Sequence, residues 1–548
     1  MKVKKRKALR IISAVCFIAF WVVLIWFVQR LMMPKYQSGV VEGSMIEEYY
    51  KDDTKHDVIM VGDCEVYENI STVELWRKYG ITSYIRGSAQ QLVWQSYYLL
   101  EDTLRYETPK VVVFNVLSLK YNEPQSEAYN RMTLDGMEWS SAKVDAINAS
   151  MTKDEKFEDY VFPLFRYHSR WSELEDDDFA HLFSKDLVTH NGYYMRADVR
   201  AEGEFPDPTP LADYTLGSNA MDYLDRIRKL CEEKGIKLVL MKAPTLYPHW
   251  YEQWDEQIKK YAGDNGLSYL NFIGCRDEIG LDMSKDTYDA GLHLNIYGAE
   301  KLADYFGKWL VDECGLSDHH SDGALAEHYG KLEEAYDNEK NSQLREIEEN
   351  GELISHTPTA KKESNVLKNF IIVAVLAALC LIQVGCGSES KKEEAGSGAA
   401  SSSASSESKQ EKASSGDGYQ LDFNGTQVVL GAEMAPVADK LGKPTKYFES
   451  QSCAYQGLDK VYTYGGVIIR TYPENDVDYV LNIELKDDSV STVEGIGIGD
   501  AKAKVKEAYG EPTSTTDTSD VFVKGNSKLS IIYGKDGNVS SIVYDLNK

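Results

Sequence analysis

Two separated stretches of the sequence carry residue types that together could perform nucleophilic chemistry. The first is a Gly-Asp-Cys turn that ends at Cys64 and follows the apolar run Val58–Val61. The second contains Asp289 and His293 and leads into a segment with helical character. A histidine that takes the proton of a thiol makes it a strong nucleophile, and a carboxylate can orient that histidine. The order of these residues therefore predicts a Cys64–His293–Asp289 site.

The flanking elements predict how these residues are positioned. A short apolar strand bounded by a glycine is typical of a buried parallel strand, and Gly62 frees the backbone to turn sharply after it. Cys64 would then stand at the carboxyl edge of the sheet, where open α/β sheets bind ligands. The sequence predicts further strands at Lys110–Val116, Ile236–Met241 and Leu267–Phe272, and helices at Val73–Tyr79, Leu92–Arg105, Asp222–Lys234, Trp250–Ala262 and Gly298–Val311. This alternation predicts an α/β domain at 45–316, a parallel sheet sandwiched by helices, with 122–210 as an insertion or lid.

Residues 1–35 read as a basic cytoplasmic tail followed by a membrane anchor. Six lysines and arginines within the first ten residues precede an apolar run at Ile11–Val28. As a helix this run is about 27 Å long, at ~1.5 Å per residue, which is close to the thickness of a bilayer core. The basic cluster places the N-terminus in the cytoplasm and the following domain outside the cell. A cleaved signal peptide is the alternative, but no small-residue cleavage site follows the run.

Composition narrows the range of partners. The chain of 548 residues is long enough for two or three domains, and its formal net charge of −27 excludes nucleic acid, which requires a basic binding face. The eight cysteines are dispersed without a Cys/His spacing typical of zinc sites. The sequence therefore predicts neither a cofactor nor a metal site.

The second part of the chain begins with three segments of biased composition. Residues 317–365 are polar and acidic and predict a solvated helix or linker. Residues 366–386 hold an apolar run that ends in Gly385 and Cys386, and they resemble a bacterial lipoprotein signal with Cys386 as the lipidation site. A second transmembrane helix is the alternative for this run. Residues 387–418 are a Ser-rich, low-complexity tether.

Residues 419–548 predict a small α+β domain with an internal repeat. Val437–Thr445 matches Val505–Thr513, and each reads as a short amphipathic helix closed by Gly-x-Pro. Two α+β units on one sheet are therefore expected, and the domain resembles small tandem-repeat modules of secreted lipoproteins and β-lactamase-inhibitor-like proteins. Two membrane spans would return this domain to the cytoplasm, whereas its composition suits the outside. The sequence leaves this conflict open, together with whether the lipoprotein-like unit is a true fusion.

The chemistry-bearing residues of the first domain resemble an SGNH/GDSL-type hydrolase. The resemblance covers residues 50–316 and rests on Gly62-Asp-Cys64, on Gly87, and on the run from Asp289 through His293 to Gly298 and Ala299. It is closest to the membrane-anchored bacterial branch that acts on cell-envelope polymers. It implies a flavodoxin-like sheet, Cys64 in place of the nucleophilic serine, His293 as general base and Asp289 as its orienting carboxylate. It also implies an oxyanion site formed by the Cys64 amide, Gly87 and an asparagine.

This sequence departs from the pattern of that family at three points. The nucleophile is a thiol, and Asp289 lies four residues before His293 where the family usually has three, so that Asp286 is a rival orienter. A Gly-x-Asn-Asp motif is missing after the strand at 110–116, which leaves Asn115 and Asn122 as candidate oxyanion donors.

The function that the resemblance implies is acyl-ester hydrolysis or O-acyl transfer on a cell-envelope glycopolymer. The expected partners are an acylated envelope polysaccharide, the membrane and a membrane-bound O-acyltransferase. The alternative is an inactive SGNH-like module that binds a glycan or acts as a scaffold, fused to a lipoprotein binding domain. A Cys64 thiol near His293 in an open cleft favours the enzyme, and a thiol turned into the core favours the binding module.

Overall fold

The computed structural model describes three parts of the chain. These are residues 2–33, residues 45–353 without 154, 173, 175–177, 180–186, 204 and 352, and residues 418–546 without 452–457, 475–476, 517 and 535–536. Cys386, the apolar run before it and the Ser-rich tether lie outside the described residues. The chain divides into two compact units; among the described ranges, the first holds 2–33 and the part of 167–185 that is described, and the second holds 45–166, 187–353 and 418–546.

The N-terminal helix α1 spans Lys2–Met32. Its segment Val15–Met32 has a mean hydropathy of 2.1 and is long and apolar enough to cross a membrane. A signal sequence has the same length and composition, so both alternatives from the sequence fit this helix.

A parallel five-stranded sheet forms the centre of the first domain. Its strands are β1 (Val58–Gly62), β2 (Ser83–Gly87), β3 (Val111–Asn115), β4 (Lys237–Lys242) and β5 (Ser268–Asn271), in the order β2-β1-β3-β4-β5. The four predicted strands are confirmed to within about two residues. Strand β2 was not predicted, because its sequence Ser-Tyr-Ile-Arg-Gly lacks an apolar run. Its Arg86 is buried and forms an ion pair with Asp102 at 3.2 Å.

Helices cover both faces of this sheet, which confirms the α/β class. The helices of this part of the chain, including those of the insertion, are α2 (Cys64–Tyr67), α3 (Thr72–Tyr79), α4 (Val93–Thr103), α5 (Glu127–Leu134), α6 (Ser141–Ser150), α7 (Phe157–Val161), α8 (Pro163–Tyr167), α9 (Ser218–Lys234), α10 (Glu252–Asn265), α11 (Arg276–Ile279), α12 (Ile296–Cys314) and α13 (Gly323–Asn350). Alternate residues of each strand point to opposite faces. Val58 and Met60 therefore pack with α3 and α12, whereas Ile59 and Val61 pack with α4 and α9.

Helix α13 corrects the prediction of a solvated linker at 317–365. The segment is helical as expected, but Tyr329, Tyr336 and Gln343 on one of its faces are buried. Tyr329 stacks on Trp76 of α3 with ring centroids 4.2 Å apart, and Ser71 donates to the Tyr336 hydroxyl at 3.1 Å. The helix is therefore part of the α/β domain.

The predicted insertion contains helices α5 to α8 and then an extended stretch at 187–203. Within this stretch, Arg200 N–H donates to Thr287 O at 2.9 Å and Glu202 N–H donates to Met283 O at 2.8 Å. The end of the insertion thus lies along the loop that carries Asp289.

In the C-terminal domain, the order of one helix followed by four strands occurs twice, as the internal repeat predicts. Helix α14 (Met434–Leu441) precedes β8 (Lys446–Gln451), β9 (Leu458–Tyr464), β10 (Val467–Glu474) and β11 (Val477–Leu485), and helix α15 (Lys502–Tyr509) precedes β12 (Ser514–Thr515), β13 (Ser519–Lys524), β14 (Ser527–Tyr533) and β15 (Val539–Leu546). The hairpin β6 (Gln420–Phe423) and β7 (Thr426–Val429) comes first. The eight strands form one antiparallel sheet, β12-β13-β14-β15-β11-β10-β9-β8, in which the last strands of the two repeats pair. Gly442 and Gly510 end the two helices with similar dihedral angles, φ 75° and ψ −157° against φ 78° and ψ −146°.

Candidate active site

Cys64 is the first residue of α2, directly after the turn that ends β1. Gly62 in this turn has φ +153°, and a Cβ there would lie 2.6 Å from Val66 Cγ2 and 2.8 Å from Asn115 Cβ. A side chain at this position would therefore push the turn apart. Asp63 caps α2 by accepting a hydrogen bond from Glu65 N–H at 3.1 Å. The geometry fixes the Cys64 backbone at the carboxyl edge of the sheet.

The loop before α12 holds His293 in one orientation. The Asp289 carboxylate accepts from the His293 backbone N–H at 2.8 Å, and its second oxygen lies 2.6 Å from Nδ1 of the His293 ring. Nδ1 therefore carries the proton that Asp289 accepts, which leaves Nε2 as the basic nitrogen of the neutral ring. Asn295 caps the following helix through the N–H groups of Tyr297 and Gly298.

The two stretches predicted from the sequence meet in the folded protein. The Cys64 sulfur, one ring nitrogen of His293 and one carboxylate oxygen of Glu68 all lie within 4.8 Å of one another. Asn69 ties the two stretches together, because its amide donates to Glu65 O at 3.1 Å and its side-chain oxygen accepts from Leu294 N–H at 2.6 Å. Cys64 and His293 are each only 8% exposed, and Cys64 also belongs to the apolar core on that face of the sheet.

The rival orienter Asp286 has a different task. Its carboxylate accepts from Asp282 N–H at 2.7 Å and forms an ion pair with Lys301 at 2.6 Å. Asp289, not Asp286, is therefore the carboxylate on His293, despite the four-residue spacing.

The three predicted oxyanion donors have different surroundings in the structure. Gly87 is the last residue of β2. It lies opposite Gly62, the last residue of β1, which precedes Cys64 by two residues. Asn115 is fully buried and donates to Asp63 at 2.7 Å, so it supports the turn under Cys64. Asn122 accepts from Asn219 N–H at 2.9 Å at the start of α9 and acts as a helix cap. Both asparagines are thus engaged in contacts that support the fold, and the oxyanion role for them stays a prediction.

Glu68 is the most important residue that sequence reasoning missed. Its carboxylate is 3% exposed, lies 3.5 Å from His293 Nδ1 and accepts a hydrogen bond from the Tyr288 hydroxyl. Burial raises the pKa of the Glu68 carboxyl; the charge of His293 opposes this rise and that of Asp289 adds to it. Residues four apart share one face of a helix. The spacing of Cys64 and Glu68 is the signal that could have identified it.

A buried ion pair holds the first turn of α2, which carries Cys64. Lys242 at the end of β4 contacts Glu65 at 2.6 Å, and Thr245 donates to the same oxygen at 3.0 Å. Both charged side chains are almost completely buried, at 0% and 1% exposure. Burial raises the pKa of the neighbouring Asp63 to about 7, and the charge of Glu65 contributes to this rise. The start of α2 is therefore held by charges that cannot reach water.

One wall of the site is aromatic and basic. The Tyr288 ring stacks on His293 with centroids 6.1 Å apart, and the Arg196 guanidinium lies 4.4 Å from the centre of the Tyr288 ring. Arg196 is itself paired with Asp198 at 2.8 Å.

The arrangement supplies a thiol, an oriented imidazole and two carboxylates at the ligand-binding edge of a parallel sheet. A search against models of protein families and a search of curated protein sequences both give no match to this chain.

Proposed function

We propose that the first domain is an SGNH-type acyl-transfer domain that uses Cys64, His293 and Asp289 on ester substrates. The observation that carries this proposal is the Asp289–His293 hydrogen bond of 2.6 Å together with a His293 ring nitrogen within 4.8 Å of the Cys64 sulfur. An activated-nucleophile site requires a nucleophile close to a base, and a carboxylate that orients the base.

The mechanism follows from the tautomer that Asp289 selects. Nε2 of His293 takes the thiol proton, and the Cys64 sulfur attacks the ester carbonyl to form a tetrahedral intermediate. The N–H groups of Cys64 and Gly87 would stabilise its oxyanion. The alcohol leaves with the proton from His293, and a thioester remains on Cys64. Water or a sugar hydroxyl then attacks the thioester, with His293 again as the base, and the thiol is regenerated.

The substrate class follows from the resemblance and from α1. A helix able to anchor the chain in a membrane would keep the site near the cell surface, and an acylated envelope glycopolymer is the polymer available there. We propose that the domain lies outside the cell and removes or transfers acyl groups on that polymer, next to a membrane-bound O-acyltransferase.

A binding-only module is the second candidate, and two observations favour it. The thiol is 8% exposed, and the Glu68 carboxylate close to it disfavours the thiolate through like-charge repulsion. In this case the same edge of the sheet would hold a glycan without forming a covalent intermediate.

Turnover of a chromogenic acetyl ester by the full chain in detergent distinguishes the two candidates. The proposal expects turnover in the wild type and in a Cys275→Ala control, and loss of turnover in Cys64→Ala and His293→Ala. A thioester on Cys64, identified by mass spectrometry after rapid acid quenching, would establish the covalent step.

Two outcomes contradict the enzyme. Equal turnover in Cys64→Ala and the wild type would exclude Cys64 as nucleophile. Turnover that arises only in Cys64→Ser would mean that the geometry persists while the nucleophile has been lost, as the binding-only candidate expects.

A further inference from the structure

The buried Glu68 carboxylate has no task in acyl transfer. It lies 3.5 Å from the same His293 nitrogen that Asp289 contacts at 2.6 Å, so two carboxylates share one imidazole. The Arg196 guanidinium, which lies over the Tyr288 ring, is already paired with Asp198. Two carboxylates beside one imidazole and a thiol, most of them buried, concentrate negative charge that a cation would offset.

The three side chains that meet here match the ligands of zinc. Thiolate, imidazole and carboxylate are the donors that Zn²⁺ takes, and three protein ligands with one open position are typical of accessible zinc sites. Bonds of about 2.0–2.3 Å place two ligands of a tetrahedral ion about 3.3–3.8 Å apart. The donor atoms of Cys64, Glu68 and His293 all lie within 4.8 Å of one another, so a bound ion would have to draw them together only slightly. Among the residues that the structure describes, no other group of three or more such side chains comes together in this way.

Outer contacts already orient these ligands. Histidines that bind zinc usually donate their second ring N–H to a carboxylate, which Asp289 provides on Nδ1. The Tyr288 hydroxyl donates to Glu68 in the same manner. With Nδ1 engaged by Asp289, Nε2 is the nitrogen that a metal would take.

We propose that Cys64, Glu68 and His293 form a binding site for a divalent transition metal, with Zn²⁺ as the expected ion. Binding releases the thiol proton to solvent and leaves a metal-bound thiolate. Metal binding itself goes beyond the acyl-transfer proposal and does not depend on it. One consequence does rest on that proposal: a bound ion occupies both the nucleophile and the base, so the metal-loaded form would be inactive toward esters.

The test is a zinc titration of the full chain in detergent, after removal of metal, in competition with a chromogenic chelator. The wild type is expected to bind one tightly held ion. Cys64→Ala, Glu68→Gln and His293→Ala should each weaken this binding about 100-fold or more, and Asp289→Asn about 10-fold, because loss of an outer contact is the smaller effect. Cys275→Ala, which removes a thiol away from the cluster, should bind as the wild type does.

Co²⁺ provides a second measurement that does not depend on affinity. A thiolate-to-cobalt charge-transfer band is expected in the wild type and in Cys275→Ala, and it should be absent in Cys64→Ala. Circular dichroism of each variant separates the loss of a ligand from the loss of the fold, and the near-isosteric Glu68→Gln and Asp289→Asn keep the test valid if an alanine variant unfolds.

Binding that is unchanged in Glu68→Gln and His293→Ala would overturn the proposal, as would equal binding by Cys64→Ala and the wild type. Because binding is measured without ester turnover, the two proposals can fail separately. Ester turnover without a zinc site removes only the metal proposal, and a zinc site without ester turnover by the metal-free protein removes only the enzyme.

Discussion

The two sheets of this protein place polar residues in different ways. In the parallel sheet of the first domain, all five strands end at one edge, and Cys64, Asn115 and Lys242 follow or close three of those strands. In the antiparallel sheet of the C-terminal domain, successive strands end at opposite edges, because hairpins connect them. A parallel sheet thus gathers distant parts of the sequence at a single edge, while the repeated meander gives two similar halves. From this comparison we expect the stability of the first domain to depend strongly on its buried charges. In the second domain, we expect equivalent substitutions in the two halves to have equal effects.

The largest expected effect is that of breaking the Glu65–Lys242 pair. Lys242→Met leaves Glu65 charged and buried, which should lower the free energy of unfolding of the first domain by about 3–5 kcal/mol. Denaturant unfolding, followed by tryptophan fluorescence, measures this loss, since every tryptophan of the chain precedes the C-terminal domain.

Lys259→Met is the matched control, because the Lys259 side chain is exposed and its partner Asp255 keeps hydrogen bonds from Tyr269 and Asn271, so the loss should be about 1 kcal/mol or less. The double variant Glu65→Leu with Lys242→Met should recover much of the lost stability. Equal effects of Lys242→Met and Lys259→Met would contradict the view that buried charge supports the site.

A second effect concerns pH and Glu48, which lies in the 3₁₀ segment Met45–Lys51. Burial raises the pKa of this carboxyl to about 7, so the folded state holds a proton that the unfolded state releases near the ordinary value of 4.5. This contribution to stability is present below about pH 4.5 and is lost as the pH rises to about 7, and the loss is of the order of 3 kcal/mol.

Glu48→Gln should flatten this part of the profile of unfolding free energy against pH. The matched control is Glu123→Gln, where the side chain is exposed and lies outside the segment. A wild-type profile that rises from pH 4.5 to 7 in parallel with that of Glu48→Gln would contradict the assignment.

The third prediction tests the symmetry of the C-terminal repeats. Gly442 and Gly510 adopt a backbone conformation that is open almost only to glycine, and a Cβ at either position meets nothing within 4 Å. Gly442→Ala and Gly510→Ala should therefore each cost about 1–3 kcal/mol from backbone strain alone. Thermal unfolding followed by circular dichroism should give equal shifts for the two variants. Shifts in unfolding temperature that differ several-fold between the two variants would show that the two halves resemble each other in sequence but not in their contribution to stability.

The smallest effect tests the assignment of α13 to the first domain. Tyr336→Phe removes hydroxyl contacts with Ser71 at 3.1 Å and Glu300 at 3.0 Å. The buried Ser71 and the partly exposed Glu300 would each lose a hydrogen bond, so a loss of about 1–2 kcal/mol is expected in the unfolding of the first domain. Tyr297→Phe, at a partly exposed ring on α12, is the control. An unchanged midpoint of unfolding for Tyr336→Phe would contradict the assignment of α13 to the first domain.

Much of the fold could be predicted because its signals are local. The apolar strands β1, β3 and β4 and the repeated Gly-x-Pro ends of α14 and α15 are visible in short windows of sequence. Strand β2 was missed because Arg86 interrupts its apolar pattern, and only burial against Asp102 and Tyr50 makes an arginine acceptable there. Helix α13 was misjudged because its buried face consists of tyrosines and a glutamine within an acidic segment.

The sequence by itself determined the α/β alternation, the internal repeat and the pairing of an early Cys64 with a late Asp289 and His293. These features depend on periodicity and on residue order, which are visible in the sequence itself. Only the tertiary structure decided that Asp289 rather than Asp286 contacts His293, that Asn115 and Asn122 support the fold, and that Glu68 joins the site. Those outcomes depend on which atoms meet at the sheet edge, and distances of 3–5 Å between residues far apart in sequence are set by the packing of the whole domain.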